Sequence, residues 1–62
     1  MKIEFSTDND AFKDINTGEK TRLSESLETA RILRDIANKV EEGYTNRYIL
    51  DINGNKIGEW SL

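Results

Sequence analysis

Leu23-Ser24-Glu25-Ser26-Leu27-Glu28-Thr29-Ala30-Arg31-Ile32-Leu33-Arg34-Asp35-Ile36-Ala37-Asn38-Lys39-Val40 decides the fold of this chain. Leu23, Leu27, Ala30, Leu33, Ile36, Ala37 and Val40 recur at spacings of three and four, and Ile32 widens the stripe. Such a period is the mark of an amphipathic helix with an apolar face. Ser24 or Ser26 can cap the first turn, with Glu25 and Glu28 near the positive end of the dipole. Neither serine has Glu or Gln three residues on, so no reciprocal capping box is expected. Gly43 is placed to end the helix in the left-handed conformation, with Tyr44 folding back toward Val40. A helix of about 19 residues is roughly 28 Å long, enough to lie across a small sheet. Glu28–Arg31 and Asp35–Lys39 stand at helical spacing on the outer face.

On the C-terminal side, Arg47 to Ile52 and Asn55 to Leu62 flank Asn53-Gly54. Asn-Gly between two such runs predicts a hairpin with a two-residue type I′ turn. Leu50 then faces Ile57, Tyr48 faces Glu59, and Arg47 faces Trp60. Strict alternation puts Leu50 and Ile57 on the core face and Trp60 and Leu62 on the other. A bulge at Gly58-Glu59 would return both to the core. The bulge is the preferred reading, because a chain this small has little apolar bulk to leave in water.

On the N-terminal side, Ile3, Phe5 and Thr7 alternate with Lys2, Glu4 and Ser6, which predicts a strand wet on one face. Asp8-Asn9-Asp10 reads as a turn. Ala11-Phe12 reads as a short return strand or a plug under the helix. Lys13 to Arg22 reads as loop, with turn chemistry at Asn16-Thr17-Gly18 and Ile15 as its apolar anchor. The expected fold is α+β, with the order β-loop-α-β-β: one long helix on a small antiparallel or mixed sheet ending in a hairpin. The first strand is expected beside the last.

Sixty-two residues make one small soluble domain at most, spanning 1–62. A chain of this length buries only about 60% of its unfolded surface. Cysteine and histidine are absent, so neither a disulfide nor the usual zinc ligands can add stability. Association with another chain, a second copy included, is the remaining route. No stretch approaches the ~20 apolar residues of a membrane span. No signal peptide is evident, and the expected location is the cytoplasm. A net charge of −3 argues against general affinity for phosphate backbones.

Asp51 to Glu59 places oxygen donors on alternate residues, as a calcium loop does. The sixth and twelfth positions of such a loop need Gly and Glu, but here they are Lys56 and Leu62, so the stretch reads as the hairpin. Asp8, Asp10 and Asp14 could hold Mg²⁺ or Ca²⁺ weakly, and a solvated acidic turn is the simpler reading. Arg31, Arg34 and Lys39 could form a basic stripe, but Glu28, Asp35 and Glu41 interrupt it. With no His or Cys and no nucleophile or phosphate-loop motif, the chain reads as a non-enzyme without cofactor or metal. Were the strands strictly alternating, Arg47, Ile49 and Trp60 would share the outer sheet face, near Tyr44 and Tyr48. An aromatic, an aliphatic and an arginine side by side resemble an interface hot spot, so these three are the candidate partner-binding residues.

Thr7-Asp8-Asn9-Asp10-Ala11-Phe12, Thr29-Ala30-Arg31-Ile32-Leu33-Arg34-Asp35-Ile36-Ala37, Gly43, and Asp51-Ile52-Asn53-Gly54-Asn55-Lys56-Ile57-Gly58-Glu59-Trp60 resemble a group of small uncharacterised phage and prophage proteins. The resemblance covers most of the chain outside Lys13 to Arg22. The group has no assigned activity, so no functional residue carries over. It implies a small phage-type protein acting in the host cytoplasm. The functional expectation is a non-enzymatic protein–protein interaction module. The alternative is a nucleic-acid-associated accessory protein using Arg31, Arg34 and Arg47.

Overall fold

The computed structural model describes residues 1–14 and 16–62; Ile15, the expected loop anchor, lies outside the described residues. Strand β1 (Lys2–Phe5) leads into a single 3-10 turn (Asp10–Phe12). Helix α1 (Arg22–Glu41) follows, then β2 (Asn46–Leu50) and β3 (Lys56–Ser61). The sheet order is β1-β3-β2 with both pairings antiparallel. β1 and β2 are thus parallel to each other with β3 between them, and α1 is the crossover that joins them. This is the expected β-α-β-β order, with β1 beside β3.

Phe12, Ile32, Ile36, Ile49 and Trp60 form the core, ringed by the partly buried Phe5, Ala11, Val40 and Ile57. Phe12 is the plug of the two readings, not a strand residue. It is fully buried, and its ring lies 6.4 Å from that of Phe5.

Helix α1 starts one turn earlier than its serines suggest. Thr21 is the N-cap: Ser24 N donates to Thr21 Oγ1 and Thr21 N donates to Ser24 Oγ, both at 3.0 Å. The reciprocal box therefore exists, with serine where glutamate or glutamine is usual. Ser24 Oγ also reaches Phe12 O at 2.7 Å, pinning the plug to the helix start. The helix ends as expected. Gly43 has φ +98°, Gly43 N donates to Val40 O, and Tyr44 N donates to Lys39 O. Those two bonds are the Schellman pair. Lys39 bridges to Glu42 at 3.6 Å, not to Asp35.

The hairpin differs from expectation in two places that offset each other. Only Gly54 has positive φ, so a type I′ turn, which needs it at both central residues, does not form. Gly54 N instead donates to Asp51 O at 3.0 Å and Asp51 N to Asn55 O at 2.9 Å, closing a three-residue loop, Ile52-Asn53-Gly54. That loop moves the register by one, so Leu50 pairs with Lys56. A bulge at Ile57 moves it back. Ile49 pairs with Gly58, Tyr48 with Glu59 and Arg47 with Trp60. The bulge thus falls next to the expected Gly58-Glu59, and Trp60 is core. Its face-mate is Ile49; Leu50 and Leu62 are exposed. At Gly58 a side chain has no room: a Cβ there would overlap Glu4 O and sit 2.6 Å from Phe5 Cα.

The largest correction concerns the helix. Its buried row is Glu28, Ile32 and Ile36, continued by half-buried Val40. Leu23, Leu27, Leu33 and Ala37, all assigned to the core stripe by their spacing, are exposed.

Candidate interaction surface

Two of the three hot-spot residues expected from the sequence are not available to a partner. Ile49 and Trp60 each keep only 3% of their surface, because the hairpin face they share is the one α1 covers. Arg47 is exposed at the other end of β2, with its guanidinium 4.7 Å from the centre of the Tyr44 ring. It borders a shallow groove of about 570 Å³ with Asn46, Tyr48, Leu50, Glu59 and the little of Trp60 that remains accessible.

A different surface carries the exposed apolar bulk. Leu23, Leu27 and Ile52 are 69%, 63% and 67% exposed. All three line one groove of about 400 Å³ between the first half of α1, the 3-10 turn and the hairpin loop, with Ala11 and Asp14 at its border. Three large aliphatic side chains on one concavity are uncommon on a chain this small, whereas scattered single ones are ordinary.

A polar clasp lies in the wall of the groove. Glu28, buried in the wall, accepts Arg31 Nε at 2.6 Å, Arg31 Nη2 at 3.1 Å, and Ile52 N at 3.0 Å. Arg31 Nη2 also donates to Leu50 O at 3.1 Å. The hairpin loop is thereby tied to the helix, and Ile52 projects beside Leu27. Hydrogen bonding to Glu28 raises Arg31 above the ordinary guanidinium range, against the opposing effect of burial.

Below the loop, buried Asp51 accepts Asn53 N and Asn55 N, each at 2.9 Å, Asn55 Nδ2 at 3.1 Å, and Asn9 Nδ2 at 2.5 Å. Burial by itself would raise the Asp51 carboxyl. The bonds from Asn55 and Asn53, with the charge of Arg31, outweigh it and hold the group below its usual value of 3.8. The oxygens of Asp51 that suggested a calcium loop are thus spent on closing the hairpin. Asn9 Oδ1, on the other side of that link, is buried with no hydrogen-bond partner among the described residues.

Asp8, Asp10 and Asp14 each serve a local partner. Asp8 accepts Ser6 Oγ, Asp10 bridges to Lys13 at 3.1 Å, and Asp14 accepts Asn16 N at 2.7 Å. Among the described residues no group of three His, Cys, Asp or Glu could hold a metal ion. Among the described residues no helix is long and apolar enough to cross a membrane. Arg31 and Arg47 stand at opposite ends of β2, Arg31 at Leu50 and Arg47 against Tyr44. The chain matches no protein-family model, no curated protein and no solved structure.

The sequence held a signal for this groove. At 100° per residue, Leu23 and Ile32 lie about 180° apart around the helix. They cannot share a face, so the broad stripe was two stripes.

Proposed function

We propose that this is a non-enzymatic protein–protein interaction module of the phage or prophage type, working in the host cytoplasm through the Leu23–Leu27–Ile52 face. The observation that carries this reading is the gathering of the most exposed aliphatic side chains of α1 and the hairpin loop on one groove. Burying a leucine contributes about 1.5–3 kcal/mol, so leaving three such side chains wet is costly unless a partner covers them. A nucleic-acid role finds less support, because Arg31 is occupied by Glu28 and Arg47 stands apart from it. The test is affinity capture from host extract with the intact protein and with Leu23→Glu and Leu27→Glu. The reading expects a specific captured protein that both variants lose while keeping wild-type circular dichroism. Capture unchanged by both variants would contradict it.

A further inference from the structure

The exposed face continues along the helix in a regular way. Leu23, Leu27, Ala30, Arg34, Ala37 and Glu41 recur at alternating spacings of four and three, the seam of a two-helix coiled coil. The opposite row, Glu28–Ile32–Ile36–Val40, is taken by the core. α1 therefore offers one seam to the sheet and a second to solvent.

We propose that the second seam pairs with the same seam of a second copy of this chain, the two helices antiparallel and crossing where Leu27 of each meets Ala30 of the other. This names the partner for the interaction face argued above and rests on that reading. Three observations favour a second copy. The first is size matching. Antiparallel overlap about this point sets each Leu27 against an alanine, the large-on-small arrangement that packed layers need. The second is charge. Arg34 lies on the seam and, among the described residues, has no carboxylate within 4.0 Å. The overlap carries it to the Leu23 end of the other copy, where Asp14 borders the groove.

The third observation is area. The folded chain exposes 4589 Å². A compact monomer of this mass exposes about 4,100 Å². Its radius of gyration is 12.1 Å, where about 10.6 Å is usual for the length. The excess of roughly 500 Å² belongs to the whole surface, the seam included, and is smaller than the ~800 Å² per partner of a standard stable interface. The dimer should therefore be weak and concentration-dependent.

Sedimentation equilibrium on the intact protein, from about 1 to about 500 µM, spans the affinities expected of so small an interface. The mass is expected to rise from 7.1 kDa toward twice that value. Leu27→Glu is expected to remain monomeric throughout, folded as judged by circular dichroism. Tyr48→Glu, on the outer sheet face, should associate as wild type does. Because the chain has no cysteine, introduced ones report the register. Leu27→Cys mixed with Ala30→Cys should form a crossed disulfide faster than Leu27→Cys mixed with Ala37→Cys. A mass of 7.1 kDa at every concentration, a dimer that survives Leu27→Glu, or preferred 27–37 cross-linking would overturn the pairing. If the wild type is monomeric but Leu27→Glu still loses a captured host protein, self-pairing fails and the interaction reading stands.

Discussion

The two apolar rows of α1 have similar sequences and opposite fates. Ile32 and Ile36 lie against Phe12, Ile49 and Trp60, while Leu23 and Leu27 face water. Side-chain size alone does not choose between the two pairs, for Leu23 and Leu27 are as apolar as Ile32 and Ile36. Polar contacts at the helix start make the choice. Ser24 Oγ reaches Phe12 O, and Glu28 accepts Ile52 N, so the side of the helix that carries both must face the plug and the hairpin. The buried row owes its place to a serine and a glutamate as much as to its isoleucines.

The contrast can be broken most severely on the buried side. Phe12→Ala should cost about 3–5 kcal/mol, as deletions of buried aromatic rings do. A domain of this size has little more stability than that, so the variant should show no cooperative thermal transition. Gly58→Ala comes next. The new methyl drives against the Glu4 carbonyl and the Phe5 backbone. A loss on the order of 3 kcal/mol is expected in urea titration, with β1 amides losing exchange protection first.

Glu28→Ala tests the clasp. It leaves Ile52 N–H without its acceptor and should cost about 2 kcal/mol; Glu28→Gln, which keeps one oxygen for that bond, should cost less. Thr21→Ala removes the cap and should lower stability by about 1 kcal/mol. At the small end, Leu27→Ala on the exposed row should stay within about 0.5 kcal/mol of wild type at dilute concentration.

Acid sharpens the comparison at the hairpin. The Asp51 carboxyl lies below its usual value in the folded state, so its ionised form stabilises the fold. That contribution is complete above the unfolded value near 3.8 and is lost as pH falls through the lower folded value. Urea titrations from pH 6 downward should show a loss of stability beginning near that unfolded value, and Asp51→Asn should lack this component. The asparagine variant should still fold, since its amide oxygen can accept Asn53 N and Asn55 N and a turned Asn9 can offer Oδ1 to its amide nitrogen.

Much of the fold was legible in local chemistry. The helix, its Gly43–Tyr44 ending, the hairpin centred near Asn53-Gly54 and the β1–β3 neighbourhood follow from period, turn residues and alternation. Thr21 was missed because Ser24 stands where the reciprocal box usually has Glu or Gln. The hairpin loop was missed because Asn-Gly serves both two- and three-residue turns, and only Asp51, by capping Asn53 and Asn55 from below, selects the longer one. The candidate surface was misplaced for a tertiary reason. Ile49 and Trp60 share a face with Arg47, as strict alternation has it, but α1 covers that face and leaves the one carrying Leu50 to solvent. The apolar excess and its division into two rows were visible in the helical angles, but which row the core takes depended on Glu28 meeting Ile52 N and Arg31.

The central claim is that α1 has two apolar faces, of which the sheet takes only one. Ile36→Asp and Leu27→Asp, unfolded side by side in urea at low micromolar concentration, test it most directly. A charge on the buried row should abolish the folded baseline, while the same charge on the other row should leave the midpoint close to wild type. Equal losses from the two substitutions, or a folded Ile36→Asp, would contradict it.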